Sequence, residues 1–115
     1  MEVKGDDYRV WCESANTYIY CQGSLRLAGS EEYAPIVQLL EDVIAQAPES
    51  LVLNLCQLEF LNSSGINVLS KFVIKVRQKD TIKITVQGSE GVPWQGKSLK
   101  NLQRLMPTLK LEWVN

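Results

Sequence analysis

From residue 36 onward the chain alternates apolar stripes of helical period with short strand-like runs, and this alternation restricts the fold more than any other feature. Ile36, Leu39, Leu40, Val43, Ile44 and Ala47 recur at i, i+3, i+4, i+7, i+8 and i+11, while Gln38, Glu41, Asp42 and Gln46 take the opposite face. This helix begins either near Ser30, with Glu31 and Glu32 in its first turn and a bend at Pro35, or at Pro35 itself. Pro48 ends it. Leu51-Val52-Leu53-Asn54-Leu55 is then a nearly continuous apolar run, the pattern of a central parallel strand covered on both faces. Gln57 to Leu61 follows as a further short segment, and Asn62-Ser63-Ser64-Gly65 breaks the pattern.

A second helix is expected over 64–78, with Ile66, Leu69, Phe72, Val73 and Val76 inward and Asn67, Ser70, Lys71, Lys75 and Gln78 outward. Ile74 falls on the side of Asn67, Ser70 and Lys71, where an apolar residue is out of place. Thr81 to Val86 alternates as a strand, 98–106 as a third helix with Leu99, Leu102, Leu105 and Met106 inward, and Leu109 to Val114 as a last strand. Upstream, Arg9 to Glu13 and Thr17 to Cys21 are rich in aromatic and β-branched residues and are separated by Ser14-Ala15-Asn16, the signature of a hairpin. The order β-β-α-β-α-β-α-β predicts one α/β domain over 1–115. Its sheet is mixed and mostly parallel, opened by an N-terminal β-hairpin and accompanied by three helices.

Composition narrows the function. With 45 % hydrophobic and 22 % charged residues the chain is ordinary for a globular domain, and 115 residues suffice for a core without disulfide staples. A net charge of −1 offers no electrostatic footprint for nucleic acid. No apolar run is long enough for a membrane span, and the polar start Met1 to Asp7 lacks a signal region, so a cytoplasmic protein is expected. There is no histidine, which removes imidazole acid–base chemistry and every His-containing metal site. Cys12, Cys21 and Cys56 show no metal-ligand spacing and read as reduced, buried packing residues. The carboxylate pairs Glu31-Glu32 and Glu41-Asp42 suit a helix start and a solvated face. No catalytic group, metal or cofactor is expected.

The stretch from Leu51 to Leu69, an apolar strand leading through Asn62-Ser63-Ser64-Gly65 into an apolar helix, resembles the signature of STAS domains, the anti-sigma-factor antagonist family. There the junction reads Asp-Ser-Ser-Gly. Cys21-Gln22-Gly23-Ser24-Leu25-Arg26 partly echoes the family's Leu-x-Gly-x-Leu-Asp element. The resemblance implies a non-catalytic bacterial signalling module that works by partner switching. It would bind an anti-sigma factor or a GHKL-type serine kinase when unmodified, be phosphorylated on Ser63, and be restored by a PP2C-type phosphatase. The phosphoacceptor would sit at a helix N-terminus, which tolerates a phosphate, while the added charge alters the docking surface. That surface would comprise Asn62, Ser64, Gly65, Asn67, Ser70, Lys71, Ile74 and Arg26. Three departures stand out: Asn62 and Arg26 occupy positions that are acidic in the family, and Asn67 one where glycine is common. If either carboxylate serves a kinase, the switch is weakened or lost, leaving a scaffold that binds constitutively.

A rival motif is Gly91-Val92-Pro93-Trp94-Gln95-Gly96-Lys97-Ser98, which matches the P-loop pattern between a strand and a helix. In a nucleotide-binding reading Gly91 and Gly96 would open the loop, Lys97 would reach the phosphates and Ser98 would hold Mg²⁺. Against it, Pro93 deletes one N–H, Trp94 crowds the loop, and no strand ends in the aspartate of a second Mg²⁺-holding motif. The alternative is a loop with Lys97 and Ser98 at the start of helix three, in which Trp94, if exposed, is a candidate partner anchor.

Overall fold

The computed structural model describes residues 1–13, 15 and 17–114. Nine elements follow in order: β1 (Glu2–Lys4), β2 (Tyr8–Glu13), β3 (Tyr18–Leu25), α1 (Gly29–Ala45), β4 (Ser50–Leu61), α2 (Ser63–Lys79), β5 (Lys83–Gly88), α3 (Gln95–Leu105) and β6 (Lys110–Trp113). The six strands form one sheet in sequence order, with β1, β2 and β3 antiparallel and β3 through β6 parallel. The mixed α/β architecture and the β2–β3 hairpin match the expectation, although Ser14 and Asn16 of the hairpin turn lie outside the described residues.

Strand β1 was not expected. Glu2 and Lys4 are exposed and only Val3 turns inward, so this segment has no pattern of its own and is ordered by pairing with Arg9, Val10 and Trp11. Each helix crosses to the next strand in one direction, and right-handed crossovers put all three helices on one face of the sheet. The strands record this. Ile19, Leu51, Leu53, Leu55, Ile84 and Val86 are buried beneath the helices, whereas Tyr18, Tyr20, Val52, Asn54, Thr85 and Gln87 are half-buried. The expectation that the central strand is covered on both faces is therefore corrected. A cross-strand row on the open face runs through Trp11, Tyr20, Asn54, Gln87 and Glu112. Trp11 stacks on Tyr20 with centroids 5.1 Å apart, and Asn54 donates to Gln87, which donates to Glu112. Donation from Gln87 holds the Glu112 carboxyl below the usual carboxylate range.

Strand β4 joins two segments that the sequence separates. Its register against β3 shifts twice, between Tyr20 and Gln22 and between Gly23 and Ser24. Extra β4 residues at these bulges change the buried positions from Leu51, Leu53 and Leu55 to Leu58 and Leu61, which hides the strand's continuity from an alternation rule. Asn54 Oδ1 accepts the Cys56 N–H at the first bulge, 3.0 Å. Across from the bulges Gly23 has φ +90°, and an added Cβ would clash with the Asp7 carbonyl, so glycine is required there.

Helix α1 starts at Gly29 and keeps Pro35 inside. Ser30 is not its cap; Ala28 is, and Glu32 reaches back to accept the Ala28 N–H at 2.9 Å. Ala47 leaves the predicted stripe, because the helix ends at Ala45 and Ala47 adopts φ 49°, exposed. Helix α3 begins at Gln95, three residues earlier than expected.

Candidate functional site

The junction between β4 and α2 is held by Asn62. Backbone pairing of the Asn62 N–H with the Leu25 carbonyl ends the strand at 3.1 Å, and extended Asn62 then caps the helix. Its Oδ1 accepts the Gly65 N–H at 2.9 Å and the Tyr33 hydroxyl at 2.8 Å, while its Nδ2 donates to the Leu27 carbonyl at 2.8 Å. One side chain thus ties α2 to α1 and to the β3–α1 loop. Asparagine caps this helix, because both ends of its side chain are used and a serine hydroxyl would not span the three elements. Gly65 is buried, and an added Cβ would clash with Leu61 and lie 2.7 Å from the Tyr33 hydroxyl. Burial pushes the Tyr33 phenol pKa up.

With the cap supplied by Asn62, Ser63 is the first residue of α2 and is exposed. Asn67, Lys71 and Ile74 continue the exposed side, with Ile74 38 % accessible, and Ser64 and Ser70 are half-buried. Arg26 and Phe60 are both exposed, and the guanidinium lies over the ring at 4.6 Å from its centroid. The two departures from the acidic family pattern thus have local causes. Asn62 must donate as well as accept, and Arg26 covers an aromatic ring that a carboxylate would not.

A groove of about 520 Å³ runs between α1 and α2. Ser64, Asn67 and Lys71 line it from the predicted set; Arg26, Ser63, Ser70 and Ile74 do not. From α1 it takes Ala34 and Val37, which the helical stripe leaves unassigned, and Gln38 from the face opposite that stripe. Tyr33 was missed as well, although it lies three residues before Ile36 and extends the apolar stripe by one turn.

The segment from Gly91 to Ser98 is built differently from a phosphate nest. Val92 N–H donates to Ser89 O, Gln95 N–H to Val92 O and Gly91 N–H to Ser89 Oγ, so these amides turn inward to the loop itself. Gly96, Lys97 and Ser98 lie within α3. Pairing of β4 with β5 ends at Asn54, and the Leu55 and Leu58 carbonyls beyond it are taken by buried Gln95, whose Nε2 lies 2.7 and 3.1 Å from them. Gln95 Oε1 accepts the Ser89 N–H. Trp94 is half-buried and donates to Leu58 O at 3.0 Å, so it is not the exposed anchor considered from sequence.

Cys21 is buried, and Cys12 and Cys56 half-buried rather than buried as expected. Burial raises all three thiols, Cys21 to about 12, the opposite of an activated nucleophile. Among the described residues no helix is long and apolar enough to cross a membrane, and no group of acidic or cysteine residues is arranged to hold a metal.

No family model and no curated protein matches the sequence. Solved structures do match. A chain in the complex of the diguanylate cyclase SiaD with its activator SiaC from Pseudomonas aeruginosa aligns with a TM-score of 0.74 at 12 % identity, over 99 % of each chain. SiaC of Pseudomonas aeruginosa aligns at 0.68 and 13 % identity, over 100 % of this chain and 95 % of that one. An anti-sigma factor antagonist from Mycobacterium paratuberculosis aligns at 0.67 and 24 % identity, over 93 % of this chain and 88 % of that one. The six strands and three helices of this chain therefore carry the fold of an anti-sigma factor antagonist, the STAS fold that its Asn62-Ser63-Ser64-Gly65 signature resembles.

Proposed function

We propose that this protein is a non-catalytic signalling module of the cytoplasm that binds a protein partner through the N-terminus and exposed side of α2. The partner is an anti-sigma factor or a GHKL-type serine kinase, phosphorylation of Ser63 weakens the complex, and a PP2C-type phosphatase restores it. The observation that carries this reading is the division of labour at the junction: Asn62 supplies the cap, leaving the neighbouring Ser63 exposed at the first helical position. A phosphate on Ser63 would lie at the positive end of α2, beside amides that a helix leaves without intrahelical partners. The domain would tolerate it, while a partner seated on Asn67, Lys71 and Ile74 would meet nearly two new negative charges. The structural neighbours support a binding role. SiaC is the activator of SiaD and is seen in complex with it, and an anti-sigma factor antagonist is named for its action on another protein.

The test is phosphopeptide mapping of protein purified from its native host under several growth conditions, paired with affinity capture using wild type and Ser63→Glu. Phosphate on Ser63 that varies with condition, and a captured protein lost on Ser63→Glu, is the expected result. Unmodified Ser63 with equal capture by both forms would overturn the switch and leave a constitutive binding module.

A further inference from the structure

Helices α1 and α2 lie side by side and differ completely in charge. Helix α1 carries Glu31, Glu32, Glu41 and Asp42 and no basic residue; α2 carries Lys71, Lys75, Arg77 and Lys79 and no acidic one. Between them runs the 520 Å³ groove, lined by Glu41 from the acidic helix and by Lys71 and Lys75 from the basic one, with half-buried Val37 and Val68 contributing apolar surface above buried Phe72. An ion pair between Lys75 and Glu41 crosses it at one end, while Gly29, Ser30 and Ser64 line the other. From Ser30 to Glu41 the groove follows about three helical turns.

We infer that this groove receives an amphipathic helix of the protein partner. Its apolar stripe lies on Val37 and Val68, its basic flank along α1 beside Glu41 and its acidic flank along α2 beside Lys71. The inference deepens the docking reading above and rests on it, since Ser64 and Asn67 belong to both surfaces. Charge selects this occupant. An apolar small molecule would leave the opposed rims unused, whereas a helix read at i, i+3, i+4 and i+7 meets both rims at once. A second copy of this chain could also set α1 against α2 in opposite charge. A two-fold axis through the groove, however, would place two empty grooves face to face, against the close packing of stable interfaces.

The probe is a displayed library of helical peptides with a fixed leucine stripe and flanks drawn at random from Lys and Glu, selected on the full chain. Binders should carry Lys on one flank and Glu on the other, and lose affinity roughly tenfold on Lys71→Glu, a surface change that keeps the fold. Selection on the Lys71→Glu protein should then exchange Glu for Lys on the flank that faces α2. Val68→Glu, checked for folding by circular dichroism, should abolish binding. Binders with unbiased flanks, binders indifferent to both substitutions, or no binders at all would overturn the inference. So would a wild-type dimer by light scattering that becomes monomeric on Val68→Glu, because the occupant would then be a second copy. Selection repeated on Ser63→Ala separates the two readings, since the groove should select the same peptides when the phosphoacceptor is gone.

Discussion

Asn62→Asp introduces the acidic residue that STAS domains carry at the junction this chain resembles, and the structure predicts that it destabilises this protein. An aspartate keeps both acceptor contacts, to the Gly65 N–H and the Tyr33 hydroxyl, and its charge at a helix N-terminus contributes about 0.3–1 kcal/mol of stabilisation. It loses the donor. A carboxylate oxygen would face the Leu27 carbonyl 2.8 Å away, where Nδ2–H now donates. The lost bond and the carbonyl left without its partner cost about 1–3 kcal/mol. The net expectation is a loss of about 1–2 kcal/mol at pH 7, or roughly 4–10 °C in melting temperature for a chain this size. Asn62→Ala removes the cap as well and should be worse, by about a further 1 kcal/mol. Urea denaturation followed by circular dichroism orders the three proteins, wild type above Asn62→Asp above Asn62→Ala. An aspartate variant as stable as wild type would refute the argument. It would mean that charge at the helix end outweighs the Leu27 bond, and that the fold does not require asparagine.

Gly65→Ala should cost about 2–3 kcal/mol by driving a methyl into Leu61 and the Tyr33 hydroxyl, and an unchanged melting temperature would show that the packing yields. Gln95→Ala should cost about 2–4 kcal/mol, since it strands the Leu55 carbonyl and the Ser89 N–H, while Lys97→Ala in the same segment should leave stability within about 0.5 kcal/mol. The Cys21 thiol is raised from 9.0 to about 12 by burial, so the unfolded chain loses its proton first as pH rises. Its contribution is therefore fully present below pH 9 and disappears between about 9 and 12, with a slope of at most about 1.4 kcal/mol per pH unit. Denaturation curves from pH 8 to 11 should fall less steeply for Cys21→Ala than for wild type, and parallel curves would contradict the assignment.

Local chemistry was legible wherever one segment carried its own signal. The stripe of Ile36, Leu39, Leu40, Val43 and Ile44 is buried as its period predicts, and the helix after Asn62-Ser63-Ser64-Gly65 buries Leu69, Phe72, Val73 and Val76. Ile74 is exposed, as its position out of phase with that stripe required. The string Asn62-Ser63-Ser64 offers three good caps, and no local rule selects among them. Selection comes from the strand's end, where the Asn62 N–H pairs with Leu25, a partner far away in the chain.

The amino-acid sequence by itself determined the order of the elements after β1 and hence the parallel crossovers, because helical and strand periods are properties of neighbours along the chain. It also determined the exposed serine at a strand-to-helix junction, and the absence of histidine. Tertiary structure alone decided the rest. Strand β1 exists because β2 templates it, and β4 runs on past its first apolar residues because bulges against β3 absorb the extra ones. Trp94 and Gln95 are held in place because β5 stops short of the Leu55 and Leu58 carbonyls. The groove arises only where the acidic α1 and the basic α2 lie in contact, as the Lys75–Glu41 ion pair across it records. Each of these depends on hydrogen bonds or packing between residues distant in sequence, whose partners no local pattern names.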